Sequence, residues 1–345
     1  MKSVNTVSKL AAAAAALLAV VSSNEAMASK ARVNSLQGAI GLVDTQTIFT
    51  QPAYIHKLGQ YVTYEFGPTG TAAGKAEGGF VIARDSAKWG AYLGHMSENQ
   101  RSLRTTATFL QQENPVDLFY GSGDWAVSLS LSNSENGPAD TKQTTVIGRF
   151  GMVQENQEFY VNVEAIGSAE KTGSKFEGGP AIGAGYLMRN GDLSYSADIG
   201  YGMSKVETAG VSTERKDLAI TLAVNHRPVA EIYYGAGLGF GNADVGGKKI
   251  DTLSLPVFIG IEKDMFSWMT VRGSIQQGFL LGSVKNETAA APGDKAVKNA
   301  NDTKVAAGLG FKHGGFTLDG TLAAATNGNV NGTSFLTSAA LTFVF

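Results

Sequence analysis

Hydrophobic and polar residues alternate with a period of two over most of the chain that follows Tyr61. Within residues 193–204, every odd position is apolar, and every even position is Ser, Asp or Gly. The same alternation recurs in residues 125–132, 218–224 and 232–240. Because successive side chains of a β-strand point to opposite faces, this period predicts strands that separate two different environments.

The predicted strands are long, at about 9 to 13 residues, whereas strands of soluble sheets most often have about 5–6. A tilted strand needs roughly 9–11 residues to cross a bilayer. In lipid, an open sheet would leave the N–H and C=O groups of its edge strands unsatisfied, so the sheet must close on itself. The predicted fold class is therefore all-β, with one closed antiparallel transmembrane β-barrel.

The predicted connections alternate between short turns and longer polar loops, as in barrels with short periplasmic turns and longer extracellular loops. The short turns are expected at 154–157, 189–192, 225–228, 263–265 and 312–315. The longer loops are expected at 132–142, 167–175, 205–214, 241–251, 277–303 and 326–334.

The strand number is predicted to be even, at 14 to 16, because bacterial single-chain barrels have even numbers. About fifteen strands are clear in the pattern. A further strand at 116–121 would make sixteen, whereas an early strand outside the wall would leave fourteen. The surrounding segment, 97–122, is either a surface loop that contains the missing strand or a constriction folded into the lumen.

Both ends of the chain carry export and assembly signals. Residues 1–28 combine the basic residues Lys2 and Lys9, an apolar stretch from Leu10 to Val21, and the small residues of a cleavage site before Ser29, which together predict a signal peptide. Residues 29–58 are then predicted to be a periplasmic, plug-like segment, and residues 59–345 the barrel. At the other end, Phe343 and Phe345 share one face of the last strand and resemble the C-terminal signal that the barrel-assembly machinery recognises.

Composition and charge exclude several functions. The 28 basic and 30 acidic side chains give a net charge of −2, so no basic surface for nucleic acid is expected. The chain has no cysteine, which removes disulfides, thiolate metal sites and cysteine nucleophiles. Its four histidines lie too far apart in sequence for a zinc motif, and no nucleophile motif is present. We therefore expect no enzyme activity, no metal and no cofactor.

Charged residues at the alternate, inward positions indicate a polar lumen, because basic residues on the lipid face would cost about 2–4 kcal/mol. A barrel of this size is too wide for its own side chains to fill and usually holds an aqueous channel. The best candidates for lining that pore are Arg149, Glu164, Asp198, Arg272 and Asp319. Alternatively, these residues form internal salt bridges that support the wall.

The segment before the first strand resembles the entrance of the FadL-type long-chain fatty-acid transporter superfamily. The resemblance rests on residues 31–39 and on Gln51, Pro52 and Ala53, which stand where that superfamily has Asn-Pro-Ala. It implies that this segment acts as a hatch in the periplasmic mouth of a fourteen-stranded barrel, and that the cargo is a hydrophobic compound.

Together these features predict an integral protein of a Gram-negative outer membrane, a porin-like channel for the passive diffusion of small hydrophilic solutes. The expected partners are outer-membrane lipid, the barrel-assembly machinery, small solutes and, in a homo-oligomer, further copies of the chain. Two alternatives remain open, a FadL-like transporter of hydrophobic compounds and a plugged barrel with a structural or surface-interaction role. A lateral gap beside an apolar pocket would favour the transporter, and a lumen filled by 29–58 and 97–122 would favour the plugged barrel.

Overall fold

The computed structural model describes residues 29–66, 76–97, 104, 108–281, 284–286, 296–297, 302–326 and 338–345. The predicted signal peptide lies outside the described residues. Among the described residues, one α-helix, α1 (Lys30–Ser35), is described from end to end, and three short 3₁₀-helices (Thr47–Phe49, Pro52–His56 and Gly137–Ala139) also accompany the strands. Within the described ranges, no helix has the length and apolar character needed to cross a membrane.

Nineteen strands account for most of the described chain. They are β1 (Tyr61–Phe66), β2 (Ala76–Arg84), β3 (Ala87–Leu93), β4 (Val116–Ser122), β5 (Trp125–Asn136), β6 (Thr141–Val153), β7 (Gln157–Lys171), β8 (Ser174–Gly178), β9 (Ala181–Asn190), β10 (Leu193–Thr208), β11 (Val211–Val229), β12 (Ile232–Val245), β13 (Lys248–Phe266), β14 (Met269–Leu280), β15 (Val284–Asn286), β16 (Ala296–Val297), β17 (Asp302–His313), β18 (Phe316–Thr326) and β19 (Ser338–Val344).

These strands form one closed antiparallel barrel, because β1 pairs with both β2 and β19. The wall has sixteen strand positions among the described residues. The strands β8 and β9 share one position between β7 and β10, and β15 and β16 extend the ladder beyond β14 and β17. The predicted strand at 116–121 is confirmed as β4, which makes the count sixteen.

The two faces of the wall differ as the alternation predicts. Along β5, Trp125, Val127, Leu129 and Leu131 are exposed on the outside, while the intervening Ala and Ser residues are buried. Large apolar side chains are likewise exposed on β10 to β14. Such a band is stable only against lipid, and only a closed sheet satisfies its backbone there, so the barrel spans an outer membrane.

One end of the barrel, the turn end, holds the start of β1, the end of β19 and a series of tight turns. These turns are residues 85–86, 123–124, 154–156, 191–192, 230–231, 267–268 and 314–315. Two turns lie further along the chain than predicted, because β11 and β13 run through 225–228 and 263–265. Each strand has a register shift there, and this irregularity accommodates the extra residues.

At the opposite end, the loop end, four of the predicted long loops are mostly strand, including 132–142, which β5 and β6 enter from either side. Residues 167–175, 205–214 and 241–251 continue the strands, which meet in two-residue turns at 172–173, 209–210 and 246–247. Glycines with positive φ occupy these turns. The polar composition of these segments therefore reflects strands that rise out of the lipid. The connections after β1, β3, β14 and β18 are still longer than the turns at the turn end.

Candidate functional site

Residues 29–58, the plug segment, lie inside the barrel and cross its lumen near the turn end. The segment contacts inward-facing residues around the ring, including Glu65 on β1, Glu158 on β7, Glu262 on β13 and Thr321 on β18. The segment adds no strand to the wall. Its two halves meet the wall by different chemistry, and we call them the charged anchor (residues 29–46) and the apolar anchor (residues 48–58).

A buried network of five charged residues fixes the charged anchor. The Arg32 guanidinium donates two hydrogen bonds to the Glu262 carboxylate, at 2.7 Å from Nε and 2.8 Å from Nη2. Arg272 donates to the same Glu262 at 2.7 Å and to Asp319 at 2.5 Å. Arg32 also lies 3.5 Å from Asp44. The bidentate contact between Arg32 and Glu262 is strong and directional, so it fixes both the position and the orientation of α1.

The ionisation of Arg32 follows from these contacts. Burial tends to lower the pKa of its guanidinium, but the hydrogen bonds and the charge of Glu262 outweigh burial and raise the pKa above its ordinary value. Arg32 is therefore a permanent cation in the docked segment.

A second polar cluster holds the start of the segment against β1 and β2. The backbone N–H of Lys30 donates to Glu65 at 2.8 Å, and its Nζ lies 3.0 Å from Glu77. The Gln46 amide donates to Glu65 at 2.8 Å and to Glu77 at 2.5 Å. Glu65 and Glu77 are register partners on neighbouring strands. The segment thus supplies the cation and the amide that two adjacent wall carboxylates require.

Close backbone packing supports these ion pairs. Thr321 Oγ1 donates to the carbonyl of Ala31 at 2.8 Å, and Ser274 Oγ donates to that of Ser35 at 2.9 Å. A Cβ at Gly308 would overlap the Ser35 side chain. The small residues of α1 therefore allow the helix to lie directly on β14, β17 and β18.

The apolar anchor buries its side chains against an apolar patch on the inner wall. The cluster consists of Ile48, Phe49, Ala53, Tyr54, Ile55 and Leu58 from the segment with Tyr61, Val81, Tyr92, Phe119 and Ala126 from β1 to β5. The strand pattern predicts polar residues on the inner face, so this patch departs from it. These wall residues face neither lipid nor water, because the plug segment covers them.

The buried carboxylate of Glu158 on β7 binds the polar side chains at the edge of the apolar anchor. Glu158 accepts a hydrogen bond from Tyr54 Oη at 2.5 Å. It also pairs with Lys57 at 2.6 Å and with Arg189 at 2.7 Å. One wall carboxylate is thus fully neutralised by two residues of the segment and one of the wall.

The predicted hatch residues Gln51, Pro52 and Ala53 lie against β6 and β7. The Gln51 side-chain amide donates to the carbonyls of Met152 at 3.3 Å and Phe159 at 2.9 Å, and its Oε1 accepts from Ala53 N–H at 3.4 Å. Pro52 begins the 3₁₀-helix that follows. The glutamine therefore attaches the segment to wall backbone, and a role of these residues as a hatch stays a prediction.

The five predicted pore-lining residues all lie on the inner face, but in different surroundings. Arg272 and Asp319 meet in the network of the charged anchor. Arg149 pairs with Asp117 at 3.2 Å and donates to Ser97 at 2.6 Å, and Glu164 is also buried. Asp198 borders a cavity. Their role in lining an open pore stays a prediction, as does the role of the outward-facing Phe343 and Phe345 in assembly.

The segment 97–122 combines features of both alternatives considered from the sequence. It contains the missing strand, and its described residues ahead of that strand lie against the inner wall. Phe109 is buried against Ala169 and Phe176, and Arg104 donates to Gln143 at 3.2 Å. These contacts lie on the half of the strands towards the loop end, so the lumen is narrowed on one side there.

A cavity of about 570 Å³ remains between the plug segment and the wall, which is formed mainly by β7, β9 and β10 and also by Gln276 on β14 and Lys304 on β17. Leu36, Ile40 and Leu42 line it from the segment, and Tyr160 and Asp198 line it from the wall. In the described parts of the chain, no three His, Asp or Glu side chains are grouped in a way that could hold a metal ion. The candidate site is therefore the lumen itself, with its plug segment and this cavity.

Comparison with known proteins adds only distant likenesses. No protein-family model matches the chain, and no curated protein matches it in sequence. Among solved structures, the outer membrane channel DcaP of Acinetobacter baumannii is 10% identical with a TM-score of 0.44, over 83% of this chain and 96% of that one. An anion-selective porin from Comamonas acidovorans is 13% identical with a TM-score of 0.40, over 83% and 95%. A bacterial polysaccharide outer membrane secretin is 8% identical with a TM-score of 0.47, over 83% and 97%.

Likenesses at this level carry no argument about solute or mechanism. None of these comparisons supports the resemblance to the FadL-type superfamily. The sixteen strands of the wall also differ from the fourteen that the resemblance implies.

Proposed function

We propose that this chain forms an outer-membrane channel for small hydrophilic solutes, and that the plug segment closes the channel in the conformation described above. The supporting observation is that a separate segment, bound by ion pairs and side-chain contacts, occupies a lumen with a largely polar inner face. A barrel of this width leaves room for an aqueous path once that segment moves.

The wall does not depend on the plug segment for its backbone hydrogen bonds. Every described wall strand pairs with two neighbouring strands, and the segment enters no ladder. Displacing the segment would therefore leave the sheet intact, and it would expose charged and hydroxyl side chains to water together with the apolar patch on β1 to β5. The segment can therefore leave the lumen without breaking the backbone ladder of the barrel, as a gate within a channel requires.

A second candidate function is a permanently plugged barrel with a structural or surface-interaction role. The inward position of Phe109 and Arg104 favours it, because these residues narrow the lumen on the side away from the plug segment. In that case the lumen would stay closed even without the plug segment.

Single-channel conductance of the refolded protein in a planar bilayer tests the proposal. We expect the intact protein to be mostly silent and a variant lacking residues 29–53 to give large, weakly selective steps. Circular dichroism and heat-dependent migration in detergent gels would establish that both barrels are folded. Silence in both folded proteins would overturn the channel and favour the plugged barrel. A large, permanently open conductance of the intact protein would show that the segment does not close the lumen.

A further inference from the structure

We propose that the cavity between the plug segment and β7–β10 binds a small organic cation, and that Asp198 accepts the cationic group. The inference deepens the proposed function, on which it rests, by naming a class of solute. It is carried by the geometry around one carboxylate and by the composition of the cavity wall.

Three residues in register across three strands build the anionic end of this cavity. Tyr160 on β7 pairs with Gly185 on β9, and Gly185 pairs with Asp198 on β10. The Tyr160 ring crosses the middle strand, and its hydroxyl donates to Asp198 Oδ1 at 2.7 Å. The tyrosine therefore holds the carboxylate in one orientation at the cavity wall.

The glycine between them is required for this contact. A Cβ at Gly185 would overlap both the Tyr160 ring and Asp198 Oδ1. Any other residue at this position would separate the tyrosine from the carboxylate. The arrangement is thus a fixed acceptor, with one oxygen occupied by Tyr160 and the other without a hydrogen-bond partner among the described residues.

Among the described residues, no ion pair balances the charge of Asp198. In the described part of the chain no lysine or arginine forms an ion pair with it, and Tyr160 is its hydrogen-bond partner. Glu158, which borders the same cavity, instead has Lys57, Arg189 and Tyr54 as partners. A partly buried carboxylate that lacks a cation gains most from a ligand that supplies one.

The rest of the cavity suits an apolar body attached to that cation. Leu36, Ile40 and Leu42 project into it from the plug segment, and Tyr186 borders it on the wall. Its volume of about 570 Å³ lies within the range of small-molecule sites. Among the described residues, Lys304 on β17 also lines the cavity, but it forms no ion pair with Asp198. The carboxylate and the apolar residues of the segment together favour an amine with a compact hydrophobic group. Because the leucines and the isoleucine belong to the plug segment, the site is complete only when the segment is docked.

Isothermal titration calorimetry of the folded, intact protein in detergent tests the inference. The probes are phenethylamine, its neutral analogue 2-phenylethanol and the anion phenylacetate. We expect one phenethylamine to bind per chain, with the alcohol and the anion at least about tenfold weaker, because a charged hydrogen bond is lost. Asp198→Asn should lower the amine affinity by about tenfold or more without changing the affinity for the alcohol.

Two further variants separate a binding role from a structural one. Gly185→Ala should weaken amine binding by displacing Tyr160 while it keeps the carboxylate. Asp217→Asn removes a carboxylate that already pairs with Arg215 at 2.7 Å and lies outside the cavity, so amine binding should be unchanged.

Equal affinities for amine and alcohol, no binding by the folded intact protein, or full amine affinity in Asp198→Asn would each overturn the inference. Calorimetry involves no ion flow, so the two proposals can fail separately. If the intact protein bound the amine but the plug-deletion variant showed no conductance, the channel proposal would be wrong and the binding site would stand. If the plug-deletion variant conducted but the intact protein did not bind the amine, the channel proposal would stand and the binding site would be wrong.

Discussion

The two halves of the plug segment bind the same inner wall by opposite means. The charged anchor relies on Arg32 and Lys30, which meet carboxylates on β13, β1 and β2. The apolar anchor relies on Ile48, Ile55 and their neighbours, which are fully buried against the inner patch of β1 to β5. One half thus depends on precise geometry, and the other on the exclusion of water.

The difference indicates a division of roles. Burying one aliphatic side chain contributes about 1.5–3 kcal/mol and is not directional, so the apolar anchor supplies most of the free energy of docking. Buried ion pairs return little net free energy once desolvation is counted, but they fix position, and breaking one by removing a partner is costly. We therefore expect the charged anchor to move first when the segment is displaced.

The largest effect is expected for Ile55→Asp, which places a carboxylate among apolar side chains. An uncompensated buried charge costs about 3–5 kcal/mol, enough to displace the apolar anchor. The chain has no native cysteine, so a single cysteine at Ala53 reports on docking through its rate of maleimide labelling. We expect that rate to rise by a factor on the order of 100 or more.

The matched control is Thr50→Asp, which adds the same charge at an exposed position of the same segment. It should leave labelling at residue 53 close to that of the parent. An equal acceleration by both variants would mean that added negative charge, and not loss of apolar burial, displaces the segment.

A smaller and more local effect is expected for Arg32→Met, which keeps side-chain length and removes the contacts with Glu262 and Asp44. Hydrogen bonds to charged groups contribute about 1.5–3 kcal/mol, and Glu262 retains Arg272 as a partner. Labelling of a cysteine at Ala31 should accelerate by about tenfold or more, while labelling at Ala53 should hardly change.

Arg215→Met provides the comparison, because it removes a similar pair, with Asp217, away from the plug segment. It should alter neither rate. If Arg32→Met released residue 53 as strongly as residue 31, the two anchors would form a single cooperative unit, and the division of roles would be wrong.

The wall was predictable because its strands face two different environments. In β10, lipid on one side and a polar interior on the other impose the alternation from Leu193 to Met203. In β4, the alternation is blurred, because Phe119 points inward to the plug segment and leaves apolar residues on both faces. The plug segment is a third environment, and a period of two cannot indicate it.

The partners inside the lumen were not predictable to the same degree. Alternation places Glu262 on the inner face, but its partner Arg32 lies 230 residues away. Only the closure of the barrel brings them together. Similarly, Tyr160, Gly185 and Asp198 form a unit only through the registers of two strand pairs. The alternation indicated that Asp198 faces inward. That Gly185 leaves room for Tyr160 to reach it follows only from the folded structure.

Gln51→Asn tests how tightly the first part of the apolar anchor is held against the wall. Asparagine is one methylene shorter, so its amide cannot reach the carbonyls of both Met152 and Phe159. Losing one such hydrogen bond costs about 1 kcal/mol, which corresponds to roughly fivefold faster labelling at Ala53. Gln51→Glu retains the length but loses the donor, and it should act in the same direction. Unchanged labelling in both variants would show that the amide does not contribute to docking.

The last expected effect is a pH dependence confined to the charged anchor. Burial raises the pKa of Asp44 to about 7, although Arg32 and the backbone N–H of Gln46 act to lower it. The charge of Asp319 also raises this pKa, and the charge of Arg272 lowers it. In the undocked segment its pKa should return to about 4. The docked state therefore binds the proton more tightly, and docking weakens as the pH rises from about 4 to about 7 and then stays constant.

The ratio of the labelling rates at Ala31 and Ala53 isolates this effect, since the pH dependence of the thiol itself affects both rates. The ratio should rise between pH 5 and pH 8, and the rise should disappear in Asp44→Asn, which cannot ionise. A ratio that falls over the same interval would mean that attraction between ionised Asp44 and Arg32 outweighs the cost of burying the carboxylate. The charged anchor would then be strengthened by deprotonation, and acid, not base, would loosen the half of the plug segment that is expected to move first.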